Sequence, residues 1–241
     1  MRTKVLFMSL VLGCLWSCQQ DETIEQTDGQ TIKFTSVVIG DETLSRASGS
    51  TSIDVISMRT ELDDKFTVFD LKKDTRSWGE FSKKSEVFFY AHYPRLPESV
   101  ASNETRVLEG GTNDYLFGKA KAVAGQQQVC LQFKRVMAPL IVEVLDGDGR
   151  SYQGDIEVSA LIKNKGVQNL KDGSIVILDE KKYTAFNRFD NGVKQALNLL
   201  PQRIEKGTPF QVRLSNGVTY TATVGEAVQL NSGESYKAVV R

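Results

Sequence analysis

The sequence predicts an all-β protein, because apolar residues alternate with polar ones and turn-forming residues recur at short intervals. Ile32, Phe34 and Val38 show the alternation near the start of the chain. Asp172-Gly173 and Asn216-Gly217 each stand between two strand-like runs, as the turns of β-hairpins do. Short strands with frequent turns are typical of antiparallel β-sandwiches.

The strand-like runs follow one another from residue 31 to the end of the chain. They are 31–39, 53–56, 66–69, 87–91, 115–117, 129–133, 140–145, 156–160, 167–170, 175–178, 210–214, 218–224 and 236–240. Pro139 interrupts the apolar stretch 129–145, which therefore predicts two strands with a bend between them. The polar turn cluster 146–149 predicts a boundary between two domains, at 31–145 and 150–241.

The composition argues against an enzyme. The 30 Lys and Arg residues balance 30 Asp and Glu residues, which removes the charge expected for a nucleic-acid partner. His92 is the single histidine, and the sequence shows no phosphate loop, nucleophile motif or metal-spaced cluster. We expect no catalytic residues, cofactor or metal, a structural aromatic position for His92, and a small buried side chain for Cys130.

Residues 1–17 predict a signal peptide. Arg2 and Lys4 precede an apolar run that is too short to span a bilayer, and polar residues follow Cys18. The pattern predicts a diacylated Cys18, which would tether the protein to a membrane surface. Lipidation at Cys14 and an ordinary secretory peptide without lipid are the alternatives.

The segment 40–52 is small and polar, so we expect it to be exposed and accessible to a protease. It contains Arg46-Ala47. Residues 18–46 hold six acidic residues against two basic ones, whereas the rest of the chain is nearly balanced.

Several short motifs occur in a characteristic order. They are Ile32-Lys33-Phe34, Ser45-Arg46-Ala47, Phe88-Phe89-Tyr90-Ala91-His92-Tyr93-Pro94, Asp114-Tyr115-Leu116-Phe117-Gly118, the run 131–140, Leu199-Leu200-Pro201-Gln202 and the run 230–236. In this order the motifs resemble the fimbrillin family, the type V pilin-like lipoproteins of Bacteroidota.

The resemblance implies two transthyretin-like antiparallel β-sandwich domains in tandem, on a surface-exposed lipoprotein of the outer membrane. It also implies cleavage between Arg46 and Ala47 by a trypsin-like protease, which makes 18–46 a propeptide that includes the first strand. Ile32, Phe34 and Val38 would then plug a groove that a strand from the next subunit fills after cleavage.

Two functions are compatible with the sequence. The first is a pilus (fimbrial) subunit or accessory protein whose partners are other fimbrillin subunits, with the stalk, tip and anchor roles all open. The second is a lipid-anchored adhesin that does not polymerise and that binds host, bacterial or glycan ligands through its loops.

Overall fold

A computed structural model of the chain describes residues 29–39, 53–81, 84–98, 100–145, 147–178, 181–188 and 197–240, with the backbone alone at 181–188. These residues form β-strands and one short 3-10 helix, Trp78–Phe81, and they contain no α-helix. The all-β prediction is confirmed. Within the same ranges, no helix is long and apolar enough to cross a membrane.

The strands are numbered in chain order. The first nine are β1 (Thr31–Ile39), β2 (Val55–Thr60), β3 (Thr67–Asp70), β4 (Arg76–Ser77), β5 (Glu86–Tyr93), β6 (Thr105–Glu109), β7 (Leu116–Val123), β8 (Gln128–Arg135) and β9 (Ala138–Val144). The others are β10 (Ile156–Lys163), β11 (Lys165–Asn169), β12 (Ile175–Ile177), β13 (Lys181–Arg188), β14 (Leu197–Leu199), β15 (Arg203–Ile204), β16 (Pro209–Leu214), β17 (Thr219–Thr223), β18 (Val228–Gln229) and β19 (Tyr236–Val240).

The largest sheet has seven strands, in the order β3-β2-β5-β7-β8-β1-β4. The smaller sheets are β13-β10-β16-β17, β12-β11-β6, β14-β9-β19 and β15-β18. Within a strand, alternate residues face the core, as Val129, Leu131 and Phe133 do in β8. The apolar alternation in the sequence therefore marks the buried face of the large sheet.

Two pairings correct the prediction of wholly antiparallel sheets. Strand β1 runs parallel to β8, and β19 runs parallel to β9. A parallel pair needs a long crossover between its strands and cannot be closed by a hairpin. Both pairs meet this condition, since their partners lie far apart in the sequence, and for that reason no turn signal predicts them.

The described strands build two main hydrophobic cores. The first contains buried residues from Ile32 to Phe133, and the second contains buried residues from Ala138 to Leu230. Strand β9 contributes Val142 and Val144 to the second core, although it precedes the boundary predicted at 146–149. The domain limits themselves stay a prediction.

A small sheet joins the two halves of the chain. Strand β6 of the first half pairs with β11 of the second, from Thr105–Asn169 to Glu109–Lys165. Leu108, Val136, Met137 and Leu200 form a third cluster of buried residues. The two cores are thus connected by paired backbone as well as by the turn between β8 and β9.

The predicted turns lie where the sequence placed them. Gly173 lies between the paired strands β11 and β12 with φ of 79°, and Gly217 lies between β16 and β17 with φ of 89°. Glycine adopts this left-handed region without steric cost. The stretch 129–145 does form two strands, but the break lies at residues 136–137 and not at Pro139. Strand β8 ends at Arg135 and β9 begins at Ala138, so Pro139 lies within β9, opposite Asn198 of β14.

Candidate functional site

The candidate site is the groove that β1 fills in the first core. Strand β1 pairs with β8 over seven consecutive residues, from Lys33–Gln128 to Ile39–Lys134. On its other edge, β4 pairs with Thr31 and Ile32 alone. Beyond Ile32, no strand within the described residues covers that edge of β1.

The inward side chains of β1 lie in the core. Ile32 is 0% exposed and Phe34 is 4% exposed, while Val38 is partly buried and packs against the same cluster. The Phe34 ring makes edge-to-face contacts with Phe69 at 5.3 Å and with Phe89 at 4.9 Å, measured between centroids. Such contacts add to the free energy gained from burial alone.

Hydrogen bonds fix the beginning of β1. The backbone N–H of Trp78 donates to the carbonyl oxygen of Gln30 at 3.0 Å, and the N–H of Lys33 donates to that of Gln127 at 2.9 Å. The indole N–H of Trp78 donates to the carbonyl oxygen of Gln126 at 2.9 Å. The start of the strand is therefore held by β4, the 3-10 helix and the turn before β8.

The structure places Ile32, Phe34 and Val38 together on the inward face of β1. Their role as a replaceable plug stays a prediction. Cys14, Cys18, Arg46 and Ala47 lie outside the described residues, as does the signal peptide 1–17.

His92 is wholly buried in β5, and its structural position is confirmed. Its Nε2–H donates to the carbonyl oxygen of Leu170 at 2.9 Å, and its ring contacts Phe66 at 5.0 Å. Burial, assisted by the nearby positive charges of Arg106 and Arg59, lowers the pKa of His92 to about 3. The imidazole is therefore neutral at ordinary pH.

Cys130 corrects the prediction of a buried thiol, because its side chain is exposed. Val129, Leu131 and Phe133 take the inward positions of β8. With a period of two residues, Cys130 must face outward.

The sequence did not indicate a structural role for two arginines, Arg59, which is buried, and Arg106, which is half-buried. Arg59 is 5% exposed, its guanidinium lies 4.5 Å from the Tyr90 ring, and it donates to the carbonyl oxygen of Thr60 at 2.8 Å. Arg106 donates two hydrogen bonds to Oε1 of Gln168, at 3.1 and 2.6 Å, and burial lowers its pKa to about 10. The one signal in the sequence is that Arg106 and Leu108 are two residues apart on β6, which places both side chains on the same face of the strand.

Among the described residues, no group of three or more His, Cys, Asp or Glu side chains is arranged to hold a metal ion. His92, which is buried, and Arg106, which is half-buried, have strongly lowered pKa values, and both are hydrogen-bonded to backbone or amide oxygens.

The fimbrillin-like family matches residues 63–240 of this chain. A crystal structure of a proposed cell adhesion protein from Bacteroides thetaiotaomicron is similar, with 32% sequence identity and a TM-score of 0.70 over 88% of this chain and 93% of that one. Proposed cell adhesion proteins from Bacteroides ovatus (16% identity, TM-score 0.62, 88% and 91% covered) and Bacteroides uniformis (14%, 0.62, 88% and 92%) share the fold. No curated protein matches the sequence.

Fold and similarity together define the class, which is that of fimbrial or adhesin-like proteins of the cell surface. The chain belongs to the fimbrillin-like family, as its motifs predicted. The matched range begins after β1 and β2, so the groove-filling strand lies outside it.

Proposed function

We propose that this chain is a fimbrial subunit or accessory protein that assembles when β1 is cut free and replaced by a strand from a neighbouring subunit. Its two halves would be transthyretin-like sandwiches in tandem. The observation that carries the proposal is β1 itself. This strand fills the first core, yet for most of its length it is paired along one edge alone.

A strand paired in this way can be exchanged for another strand, whereas its removal without a replacement would destabilise the first core. Each of Ile32 and Phe34 contributes roughly 1.5–3 kcal/mol through burial. Removal of β1 would expose the apolar surface beneath these side chains and would leave backbone groups of β8 unpaired. A donor strand with apolar residues at alternate positions would cover this apolar surface again and would pair with the backbone of β8.

The proposed cleavage site is the peptide bond between Arg46 and Ala47. Strand β1 ends at Ile39 and β2 begins at Val55, so a cut after residue 46 falls between them. After the cut, non-covalent contacts alone would hold β1 in the groove. The signal peptide and a lipid on Cys18 would bring the uncut protein to the outer membrane, where it would be exposed at the surface.

Limited trypsin digestion of the folded chain tests the assembly. We expect a product that begins at Ala47 by mass spectrometry and that forms SDS-resistant oligomers on unheated gels. The variant Arg46→Ala should stay uncut and monomeric, whereas Arg46→Lys should be cut and should assemble, since trypsin also cleaves after lysine. A cut product that stays monomeric after β1 has dissociated would contradict the exchange.

A peptide of residues 29–39 sharpens the test. Added in excess to the cut protein, it should refill the groove and suppress the oligomers. The same peptide with Phe34→Asp should not, because a carboxylate would lie in the aromatic site between Phe69 and Phe89. Equal suppression by the two peptides would show that the groove is not the assembly site.

The lipid anchor needs a separate measurement. We expect mass spectrometry of the membrane-bound protein to find the acylated N-terminal residue at Cys18, and Cys18→Ser to release the protein into the soluble fraction. Release by Cys14→Ser instead would place the anchor at the earlier cysteine.

A non-polymerising adhesin is the second candidate function. The 32% identity to a proposed cell adhesion protein over most of both chains favours it. In that case β1 would be a permanent part of the sheet, and a cut at Arg46 would leave β1 bound.

A further inference from the structure

The outward face of the seven-stranded sheet carries a line of exposed lysines. Strands β1, β7 and β8 each contribute, because their outward positions alternate with the core residues. The four are Lys33, Lys119, Lys121 and Lys134, and all are exposed. We refer to them as the lysine line.

The lysine line follows the direction of the strands. Lys134 is level with Ile39 at one end of β1, and Lys33 lies six residues earlier on that strand. At roughly 3.3 Å per residue, the line is about 20 Å long. Lys119 is paired with Gln132 of β8 and lies between the two ends.

Charge on this face is strongly one-sided, although the whole chain is neutral. Glu86 is the single acidic residue among the outward positions of β1, β5, β7 and β8, and it forms an ion pair with Lys121. Within the described part of the chain, the other three lysines form no ion pair with a carboxylate. The face therefore has an excess positive charge that an anionic ligand would neutralise.

Two of the four ammonium groups, those of Lys119 and Lys121, lie close to aromatic rings. Nζ of Lys119 lies 5.2 Å from the Phe88 ring and 5.4 Å from the Tyr90 ring, and Nζ of Lys121 lies 5.8 Å from Phe88. These cation–π contacts favour particular positions for otherwise flexible side chains. These lysine side chains therefore lose less conformational entropy when a ligand binds.

The other groups on the face indicate the chemistry of the ligand. Gln128, Gln132 and Thr35 are exposed between the lysines, and Val37 and Ile39 are 46% and 44% exposed beside them. Amides and hydroxyls bond sugar hydroxyls, while aliphatic side chains pack on sugar C–H groups. A duplex nucleic acid would instead need a denser basic surface.

We propose that the lysine line binds an extended acidic polysaccharide, with ammonium groups on its carboxylates and the intervening polar side chains on its hydroxyls. The site lies on a sheet face and not at the loop tips. Lys33 belongs to β1, so the complete lysine line is a property of the uncut chain, and binding is measured on the uncut monomer without strand exchange.

An oligogalacturonate, a linear chain of carboxylated sugars, is the probe. We expect calorimetry with the uncut chain at low salt to show binding that weakens as salt rises. The double variant Lys119→Gln/Lys134→Gln should bind about tenfold more weakly, since two charge contacts are lost. The matched control, Lys65→Gln/Lys206→Gln, removes two exposed lysines elsewhere and should bind as the parent does.

Two further probes separate the sources of negative charge. The methyl-esterified oligogalacturonate has the same backbone without the charge and should bind far more weakly. Polyphosphate of similar length should also bind more weakly, because it lacks hydroxyl and C–H surfaces. Equal or tighter binding of polyphosphate, equal weakening in the two double variants, or no binding of oligogalacturonate would each overturn the proposal.

Discussion

Strands β1 and β19 occupy similar places in the two cores but differ in how deeply they are buried. Each runs parallel to its neighbour, and those neighbours, β8 and β9, follow each other directly in the chain. Ile32 and Phe34 of β1 are below 5% exposed, whereas Tyr236, Ala238 and Val240 of β19 are all partly exposed. Similar pairing thus accompanies very different side-chain packing.

The difference lies in the residues that each strand meets. Strand β1 packs against aromatic rings of the first core, where Phe34 lies between Phe69 and Phe89. The buried residues of the second core are Ala, Val, Ile and Leu. Under the proposed exchange, the first core therefore holds the strand to be replaced more firmly than the second core holds β19. A cut alone would not release β1 quickly.

The largest predicted effect is that of Phe34→Ala. Deletion of this buried ring should lower the free energy of unfolding by about 3–5 kcal/mol, because a cavity remains between Phe69 and Phe89. Denaturation by guanidinium chloride measures it. A loss below about 1 kcal/mol would show that β1 is as loosely packed as β19.

Acid should weaken the region around β5 selectively, since the one histidine lies there, among Phe66, Phe117 and Leu170 on the side of β5 that faces away from the first core. Burial lowers the pKa of His92 from 6.5 to about 3. The unfolded chain therefore takes up a proton below pH 6.5 that the folded chain does not. Stability present above pH 6.5 is lost as the pH falls, by about 2 kcal/mol at pH 5.

Hydrogen exchange at pH 7 and pH 5 compares the two regions, with His92→Gln as the control. Rates are first corrected for the intrinsic effect of pH. Amides of β5 and β8 should lose more protection than those of β9 and β16, and the variant should show a smaller loss. Uniform loss across both cores would indicate that carboxylates, and not His92, control the acid response.

Val240→Ala in β19 should cost about 1 kcal/mol, because its methyl groups are only partly buried. Thermal unfolding followed by circular dichroism measures the change. A cost equal to that of Phe34→Ala would remove the contrast between the two strands.

The smallest effect is expected for Val37→Ala. This residue faces outward on β1 and is 46% exposed, so the free energy of unfolding should change by less than about 0.5 kcal/mol. The same denaturation assay detects it. A larger loss would mean that the outward face of β1 is covered in the folded chain.

The sequence predicted features that depend on neighbouring residues. Alternation identified the inward residues of β1, and Asp-Gly and Asn-Gly located two hairpins. The same rule, applied to Val129, Leu131 and Phe133, predicts an outward Cys130, whereas the general tendency of cysteine to be buried predicts the opposite and is wrong here.

Features that depend on the pairing of strands far apart in the chain could not be predicted from the sequence. The parallel pairing of β1 with β8 joins residues about a hundred positions apart, with no turn to signal it. The same pairing places Lys33 on the sheet face that carries the lysines of β7 and β8. The hydrogen bonds between Arg106 and Gln168 likewise require the pairing of β6 with β11.

The pairing of β6 with β11 bears on how this protein can be divided. A chain truncated after Arg135 would keep β6 but lose β11, and Leu108 would lose the cover that Leu200 and Met137 provide. His92 would also lose its acceptor, the carbonyl oxygen of Leu170. Either half expressed by itself would therefore have unpaired backbone hydrogen-bonding groups and exposed apolar surface. We expect such a product to be insoluble.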